Sequence, residues 1–394
     1  MRVLVAMSGG VDSSVAVAEL VAAGHEVVGA TMKLWGGASD SGCCSVADVD
    51  DARRVAQQLG IAHHVFNFSA TFDDEVVTPY VEAHAAGCTP NPCVECNRHV
   101  KFDRLLGRAM ALGFDALATG HHARAVEGLD GRWSLLRGAD AAKDQSYVLS
   151  MLGQAQLSRC VFPVGGMQKA QVRAKATALG MRSAGKPDSQ DVCFITSGRG
   201  GAGSSPSTSG RGGAGGRPSP GGRPSPGGRA GFLSRRTALH PATLVDPAGQ
   251  VVGQVPAVEL VTVGQRRGLG VGDGGARRYA LSVDVASRTV LVGSEADLLA
   301  DCVALSSLTW VERALAPGTT VFAQASAHGG AHEAVFGGSS LRWAEPQRRV
   351  APGQTVAFYD GERVLGSAVA VRGPDAAPSG FGSPPGPMER RSVS

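Results

Sequence analysis

The chain opens MRVLVAMSGGVDSSVAVAEL over residues 1–20. Residues 2–7 form a short apolar run with two valines, which predicts a buried strand. Residues 14–23 repeat apolar side chains at helical spacing and predict a helix. Between them lies the loop Ser8-Gly9-Gly10-Val11-Asp12-Ser13-Ser14. Two glycines let the backbone turn tightly and approach a ligand with no Cβ in the way. Ser13 and Ser14 open the helix, whose unpaired N–H groups and positive dipole end favour an anion. A Gly/Ser-rich structural turn has the same composition, but its place directly after an N-terminal strand favours a phosphate loop. The Gly-Lys-Ser/Thr ending of a Walker A loop is absent, so an ordinary γ-phosphate-cleaving NTPase is not expected.

Working outward, strands are predicted at 26–32, 61–68 and 114–119, and helices at 48–59, 97–112 and 169–179. Strands alternating with helices of this length point to an α/β fold with a parallel sheet covered on both faces. After residue 232 the texture changes to short β-branched runs at 260–263, 280–285, 289–292, 319–325, 355–359 and 364–371. Turn residues such as Asp360-Gly361 separate them, which points to an antiparallel barrel or sandwich. Residues 197–230 hold five arginines (Arg199, Arg211, Arg217, Arg223, Arg229), no acid and a tandem GGRPSP repeat. Such a composition cannot bury enough surface to offset its ordering entropy, so disorder is expected there, and again in the tail 374–394.

The net charge of +4 over 394 residues falls to −1 without those five arginines. That excludes a uniformly basic nucleic-acid coat and leaves room for a local basic patch. Hydrophobic residues at 43% suffice for a sizeable core, and the 55 glycines are about twice the usual usage. No early apolar leader and no run near the roughly 18 apolar residues of a membrane span are present, so a soluble cytoplasmic protein is expected. In a reducing compartment its eight cysteines are expected to be reactive or inert rather than structural disulfides. Cys88, Cys93 and Cys96 lie close together and Cys193 far away. Cys93-x-x-Cys96 could be half of a zinc site, but no second pair with ligand spacing follows. Cys43, Cys44, Cys160 and Cys302 read as ordinary thiols.

SGGVDSS is similar to the pyrophosphate loop of the ATP-pyrophosphatase (PP-loop) superfamily, which cleaves ATP between the α and β phosphates to adenylate a substrate. Further motifs narrow the resemblance: TPNPCVECNRHVKF from Thr89, ATGHHAR from Ala118, KDQSYVL from Lys143, FPVGG from Phe162 and KPDSQDVCFI from Lys186. VGQRRGLGVG from Val263 and APGQTVAFYDGERVLGSA from Ala351 continue it. In this order they resemble the bacterial tRNA-specific 2-thiouridylase family over most of the chain, the low-complexity stretch and tail excepted.

The resemblance implies a PP-loop domain at 1–196, the insert at 197–230, a small central tRNA-associated segment at 231–278, a C-terminal antiparallel β-barrel-like domain at 279–373 and a tail. It implies ATP and Mg2+, with Ala6, Met7, Ser8, Gly9, Gly10, Val11, Asp12, Ser13, Met32 and Gly120 at the nucleotide. Cys193 resembles the cysteine that takes up sulfur as a persulfide. Cys96 resembles its partner, either liberating sulfide or closing a Cys96–Cys193 disulfide as sulfur is delivered. Asn91, Pro92 and Cys93 fall where the family surrounds the target base, and His121, Lys143, Asp144, Gln145 and Gln354 where it contacts tRNA. His122 reads as a satisfied loop histidine. The implied partners are a tRNA anticodon loop, for Lys, Glu and Gln tRNAs, and a persulfide donor such as a cysteine desulfurase or sulfur-relay protein, with no membrane.

The chain also departs from the family. Some members carry Asp where Cys93 stands, as a candidate general acid/base, and Cys93 cannot be assigned that role. Cys93, Cys96 and Cys193 instead make a three-thiolate set that could hold a [4Fe–4S] cluster with one open iron, the alternative to persulfide chemistry. The usual Gly-x-His element before GQRRGLG is replaced by Val252-Gly253-Gln254-Val255, and an expected Arg-Tyr step is missing from 323–335. Two other functions remain to be weighed. An amidotransferase-type synthetase would share the loop without needing paired cysteines, and a non-catalytic RNA-binding or metal-cluster module that merely retains the loop would not need Ser8–Ser14 and both cysteines intact.

Overall fold

The structure, a computed structural model, describes residues 1–34, 46–188, 192–195, 228–270 and 277–373. The tandem repeat, Cys43, Cys44 and the tail 374–394 lie outside the described residues.

β1 (Arg2–Ala6), α1 (Val11–Ala22), β2 (Glu26–Lys33), α2 (Val46–Gln58) and β3 (Ala62–Asn67) follow the predicted alternation. β4 (Ala116–Thr119) and a short β7 (Cys160–Val161) complete a parallel sheet of order β3-β2-β1-β4-β7 among the described residues. Val3, Leu4 and Val5 of β1 are fully or almost fully buried, as a central strand covered on both faces requires. One face packs on α1, α2 and the helix Lys169–Ala178 through Val15, Ala52, Val55 and Val172. The other packs on the helical layer after β3 through Phe72, Val76, Val100 and Leu105. The helix expected at 97–112 begins at Pro92 and carries wide π turns over Cys96–Leu105. The order reverses at β1/β4, the place where open parallel sheets leave a crevice at the strand ends.

Two strands not foreseen in the sequence, β5 (Ala123–Glu127) and β6 (Trp133–Arg137), form a hairpin that leaves this sheet. β8 (Ala242–Val245), β9 (Val251–Val255), β10 (Tyr279–Asp284) and β11 (Thr289–Gly293) make a separate sheet of order β10-β11-β8-β9. The strand expected at 260–263 is instead a 3-10 turn, Val258–Leu260, followed by extended chain. Its driving feature is not the valine run but Glu259, buried to accept from His240 N at 3.0 Å and Nδ1 at 2.7 Å. Residues 228–230, expected to be disordered, begin the helix Gly228–Ser234. Burial of Phe232 and Leu233 overrides the weak helix propensity of the glycines.

β12 (Leu299–Trp310), β13 (Thr320–Gln324), β14 (His332–Phe336), β15 (Ser340–Arg348), β16 (Thr355–Asp360) and β17 (Arg363–Val371) form an antiparallel barrel. It closes where β12 pairs with β17, Leu305 opposite Ala370. Alternate residues such as Val321, Ala323, Phe336, Leu341 and Phe358 fill its interior, as the period-2 pattern demands. The β5–β6 hairpin adds to the same sheet, Leu135 opposite Val364 and Leu136 opposite Arg363. Arg137 fastens this seam: its guanidinium lies 3.7 Å from the centre of the Tyr359 ring and donates to Asp144 Oδ2 at 2.7 Å. Tyr147 Oη donates to the Thr355 carbonyl at 2.8 Å.

Candidate active site

The Ser8–Ser14 loop sits at the β1/β4 reversal. Gly9 takes φ +70°, and a Cβ there would lie 2.4 Å from the Asp48 carbonyl oxygen. Gly10 caps α1 with no side-chain hydrogen bond among the described residues, which leaves the first-turn N–H groups for a ligand. Ser13 and Ser14 turn inward instead, their hydroxyls donating to the Gly10 carbonyl at 3.1 and 2.8 Å. Gly120, after β4, comes so close that a Cβ would lie 2.5 Å from Ser13 N. Ala6 ends β1, Met7 follows it, and Met32 is buried near the end of β2. The expected nucleotide residues are thus on adjacent strand ends and the loop between them.

Asp12 is the loop's acid. Lys169 Nζ donates to its two oxygens at 2.8 and 2.7 Å, and His122 Nε2 lies 3.1 Å from Oδ1. Burial opposes ionisation, but His122 and Lys169 hold the Asp12 carboxyl below the usual carboxylate range. Lys169 also pairs with Asp188 at 2.9 Å, and Asp188 is shared with Lys143 and Arg173, each at 2.8 Å. Lys186 donates to the Gly9 carbonyl at 3.2 Å and to Asp48 at 3.0 Å, tying the loop to α2. A backbone anion cradle, an ionised carboxylate and two lysines fit a nucleotide phosphate with Mg2+ on Asp12. Sequence reasoning gave Lys169, His122, Lys186 and Asp188 no role. Lys186 and Asp188 stood in a quoted motif, and Lys169 opens a helix directly after FPVGG, but their partners are far away in sequence.

Around the cysteines, Asn91 caps the helix Pro92–Glu95 by accepting from Cys93 N at 3.0 Å. Pro92 fits the first helical position, where no N–H is needed. Asn97, almost fully buried, donates to the Val148 carbonyl at 3.0 Å. That bond fixes Cys96, itself buried, against the Ser146–Leu149 turn. Cys193 is half-buried, and both cysteines pack against one apolar cluster. A cavity of about 160 Å³ is lined by Asn91, Pro92 and Cys93, by Val192 next to Cys193, and by Ala327 and Gln354 from the C-terminal half. Gln354 reaches it because its amide donates to the Thr89 carbonyl while Thr89 N donates to Pro352 O at 2.7 Å.

The other expected contacts divide: His121 and the Asp144 carboxylate face inward, whereas Gln145 and Lys143 are exposed. His121 is buried between Phe102 and Phe162, bonded to Thr119 Oγ1 at 2.7 Å, and burial pushes its pKa well below the ordinary value. Asp144 accepts from Arg137, Gly138 and Ser146. Gln145 accepts from the His122 amide at 2.9 Å. Lys143 remains at the surface, paired with Asp188. Burial drives the Cys160 thiol far up, which makes it inert. Among the described residues no group of three or more His, Cys, Asp or Glu side chains could hold a metal ion. Cys93, Cys96 and Cys193 therefore do not fit a cluster site as they stand.

Three family descriptions match the chain in order: a tRNA methyl transferase HUP domain at residues 1–197, a tRNA methyl transferase PRC-barrel domain at 230–294 and an aminomethyltransferase β-barrel domain at 300–370. The chain is 42% identical over 381 residues to the tRNA-specific 2-thiouridylase MnmA of Chloroflexus aurantiacus, covering 94% of this chain and 98% of that protein. The chain belongs to the tRNA-specific 2-thiouridylase family. The MnmA of Beutenbergia cavernae is likewise 42% identical, covering 95% of this chain and 96% of its own. Among solved structures, the U34-tRNA thiolase NcsA of Methanococcus maripaludis with its [4Fe-4S] cluster matches 46% of this chain and 58% of its own, at 21% identity and a TM-score of 0.31. Among the described residues no helix is long and apolar enough to cross a membrane.

Proposed function

We propose that the protein is an ATP-dependent tRNA sulfurtransferase that replaces the C2 oxygen of the wobble uridine with sulfur. The observation that carries this reading is near-full-length similarity to 2-thiouridylases joined to an anion cradle at the β1/β4 reversal. Its expected substrates are the tRNAs for Lys, Glu and Gln. We assign residues 1–196 to adenylation and thiolation, and 231–278 and 279–373 to supporting the tRNA.

In this reading the N–H groups at Gly10–Ser13 and Lys186 hold the departing pyrophosphate while the uridine C2 oxygen attacks the α phosphorus. Asp12 would hold Mg2+, which would neutralise phosphate charge. The product is a C2-adenylate, whose AMP is a good leaving group. The cavity at Asn91, Pro92 and Cys93 receives the base once it is drawn out of the anticodon stack. Cys193, charged by a desulfurase or relay protein in the cytoplasm, presents the persulfide. Either its outer sulfur attacks C2 and expels AMP, after which Cys96 attacks Cys193 Sγ, freeing the thiocarbonyl and forming a Cys96–Cys193 disulfide, or Cys96 first releases hydrosulfide by forming that disulfide and hydrosulfide attacks C2. An external dithiol then reduces the pair. In the same reading His121, Lys143, Asp144, Gln145 and Gln354 make up the tRNA-contacting set.

The test is an anaerobic reaction with ATP, Mg2+, a persulfide donor and unmodified tRNA, with nucleosides read by mass spectrometry. Wild type is expected to form 2-thiouridine with AMP and pyrophosphate, and Cys193→Ser none. AMP release without a thiolated base would replace this reading with another adenylation, and no AMP at all with an RNA-binding module.

A further inference from the structure

The turn that carries Cys193 is held from both ends. Val192 stands at φ +58°, a left-handed conformation that a β-branched residue rarely adopts and that its surroundings must hold. Its side chain lines the cavity beside Asn91 and Cys93, and its carbonyl accepts from the Ile195 amide at 3.1 Å. On the far side of Cys193, the Phe194 ring is buried among three others. It lies 5.7 Å from Phe72, 5.3 Å from Tyr80 and 5.1 Å from Phe232, centre to centre. Phe232 closes the group by meeting Tyr80 at 6.3 Å. These spacings suit attractive tilted and edge-to-face ring pairs.

The four rings have different origins. Phe72 and Tyr80 belong to the helical layer beside the parallel sheet, Phe194 is the neighbour of Cys193, and Phe232 sits in Gly228–Ser234, beyond the low-complexity stretch. Arg236 lies over the Phe232 ring at 4.2 Å and Leu233 is fully buried, so that short helix is itself fixed. A strained backbone at Val192 needs a counterweight. The ring group supplies it one residue past the cysteine.

We propose that Phe232 is a positioning residue for Cys193: clasped to Phe194, it fixes the sulfur-accepting turn against the cavity. The role of the turn rests on the thiolation reading above, but the clasp can be measured without it. The probe is iodoacetamide, applied to the full-length protein without ATP or tRNA and well below the melting temperature of each variant. Peptide mass spectrometry gives the alkylation rate of Cys193, with exposed Cys302 as internal reference. Phe232→Ala and Phe232→Leu are expected to raise the Cys193-to-Cys302 rate ratio at least tenfold, and Phe232→Tyr to keep it within twofold of wild type. In thiolation assays the same two variants are expected to lose kcat at unchanged KM for ATP. Phe232→Leu keeps apolar volume and serves where Phe232→Ala does not fold. A ratio unchanged or lowered in Phe232→Leu overturns the proposal, as does an equal rise at Cys96, which is what a ring that only fills the core would give. Thiolation by Cys193→Ser would instead defeat the sulfur-accepting role while leaving the clasp intact.

Discussion

Lys169 Nζ bridges Asp12 and Asp188, 2.7 Å from one carboxylate and 2.9 Å from the other. The loop acid and the segment leading to Cys193 thereby share one buried cation. Breaking a mostly buried pair leaves its partner uncompensated. Lys169→Met is expected to lower stability by about 2 kcal/mol, read by urea unfolding, and to cut ATP-dependent pyrophosphate release at least tenfold. Lys169→Arg is expected to recover stability more fully than activity, because a planar guanidinium cannot copy both contacts.

Gly120→Ala is expected to weaken ATP binding at least tenfold, measured by calorimetry. The added methyl would meet Ser13 N and the Asp12 backbone at 2.5 and 2.7 Å, and those atoms are helix backbone that cannot swing aside. The accompanying loss of stability is expected to be about 1–3 kcal/mol.

His84 gives a pH dependence of known sign. Burial, reinforced by Arg229, lowers its pKa from 6.5 to about 4, and its Nε2 has no hydrogen-bond partner among the described residues. A depressed folded-state value means that the unfolded chain takes up the proton first. The stability contributed by neutral His84 is therefore complete above about pH 6.5 and is lost as pH falls through 4. Unfolding free energies at pH 7 and pH 4.5 should differ by about 2–3 kcal/mol more in wild type than in His84→Phe. Equal differences in the two proteins would count against the assignment.

Arg137→Ala is expected to cost about 2–3 kcal/mol by leaving Asp144, itself buried, without its cation and Tyr359 without its stacked guanidinium. In the double variant with Asp144→Asn the loss should be smaller than the sum of the single losses, since the two residues act as one contact. Thermal unfolding of the four proteins measures that coupling.

How much of this was legible beforehand follows from the range of the interactions. The strand at 2–6 and the loop after it are written locally, in valines and glycines whose meaning does not depend on distant partners. The Cys93–Cys96 segment was equally readable, because Asn91 and Pro92 cap their own helix. The β5–β6 hairpin was not, since beyond their local partners Arg124 and Ala125 the residues Leu135 and Leu136 are held by Val364 and Arg363, far along the chain. Lys169 and Asp188 likewise carried no readable role, because only the fold brings Lys169 between Asp12 and Asp188. His121 shows the reverse division of local and distant information. A motif placed it in the right loop, but Phe102 and Phe162 decide that its ring faces inward.

The β5–β6 hairpin also bears on how such a chain can be divided. Its strands are encoded ahead of the low-complexity stretch, yet β6 completes its hydrogen bonding on β17, nearly at the end of the described chain. A fragment ending near residue 196 would keep β6 with one edge unpaired, the kind of edge that recruits strands from other molecules. The remaining half would keep a barrel stripped of the Arg137–Tyr359 stack. Cutting the chain between them would therefore call for a substitute strand along β6 and a substitute cation over the Tyr359 ring.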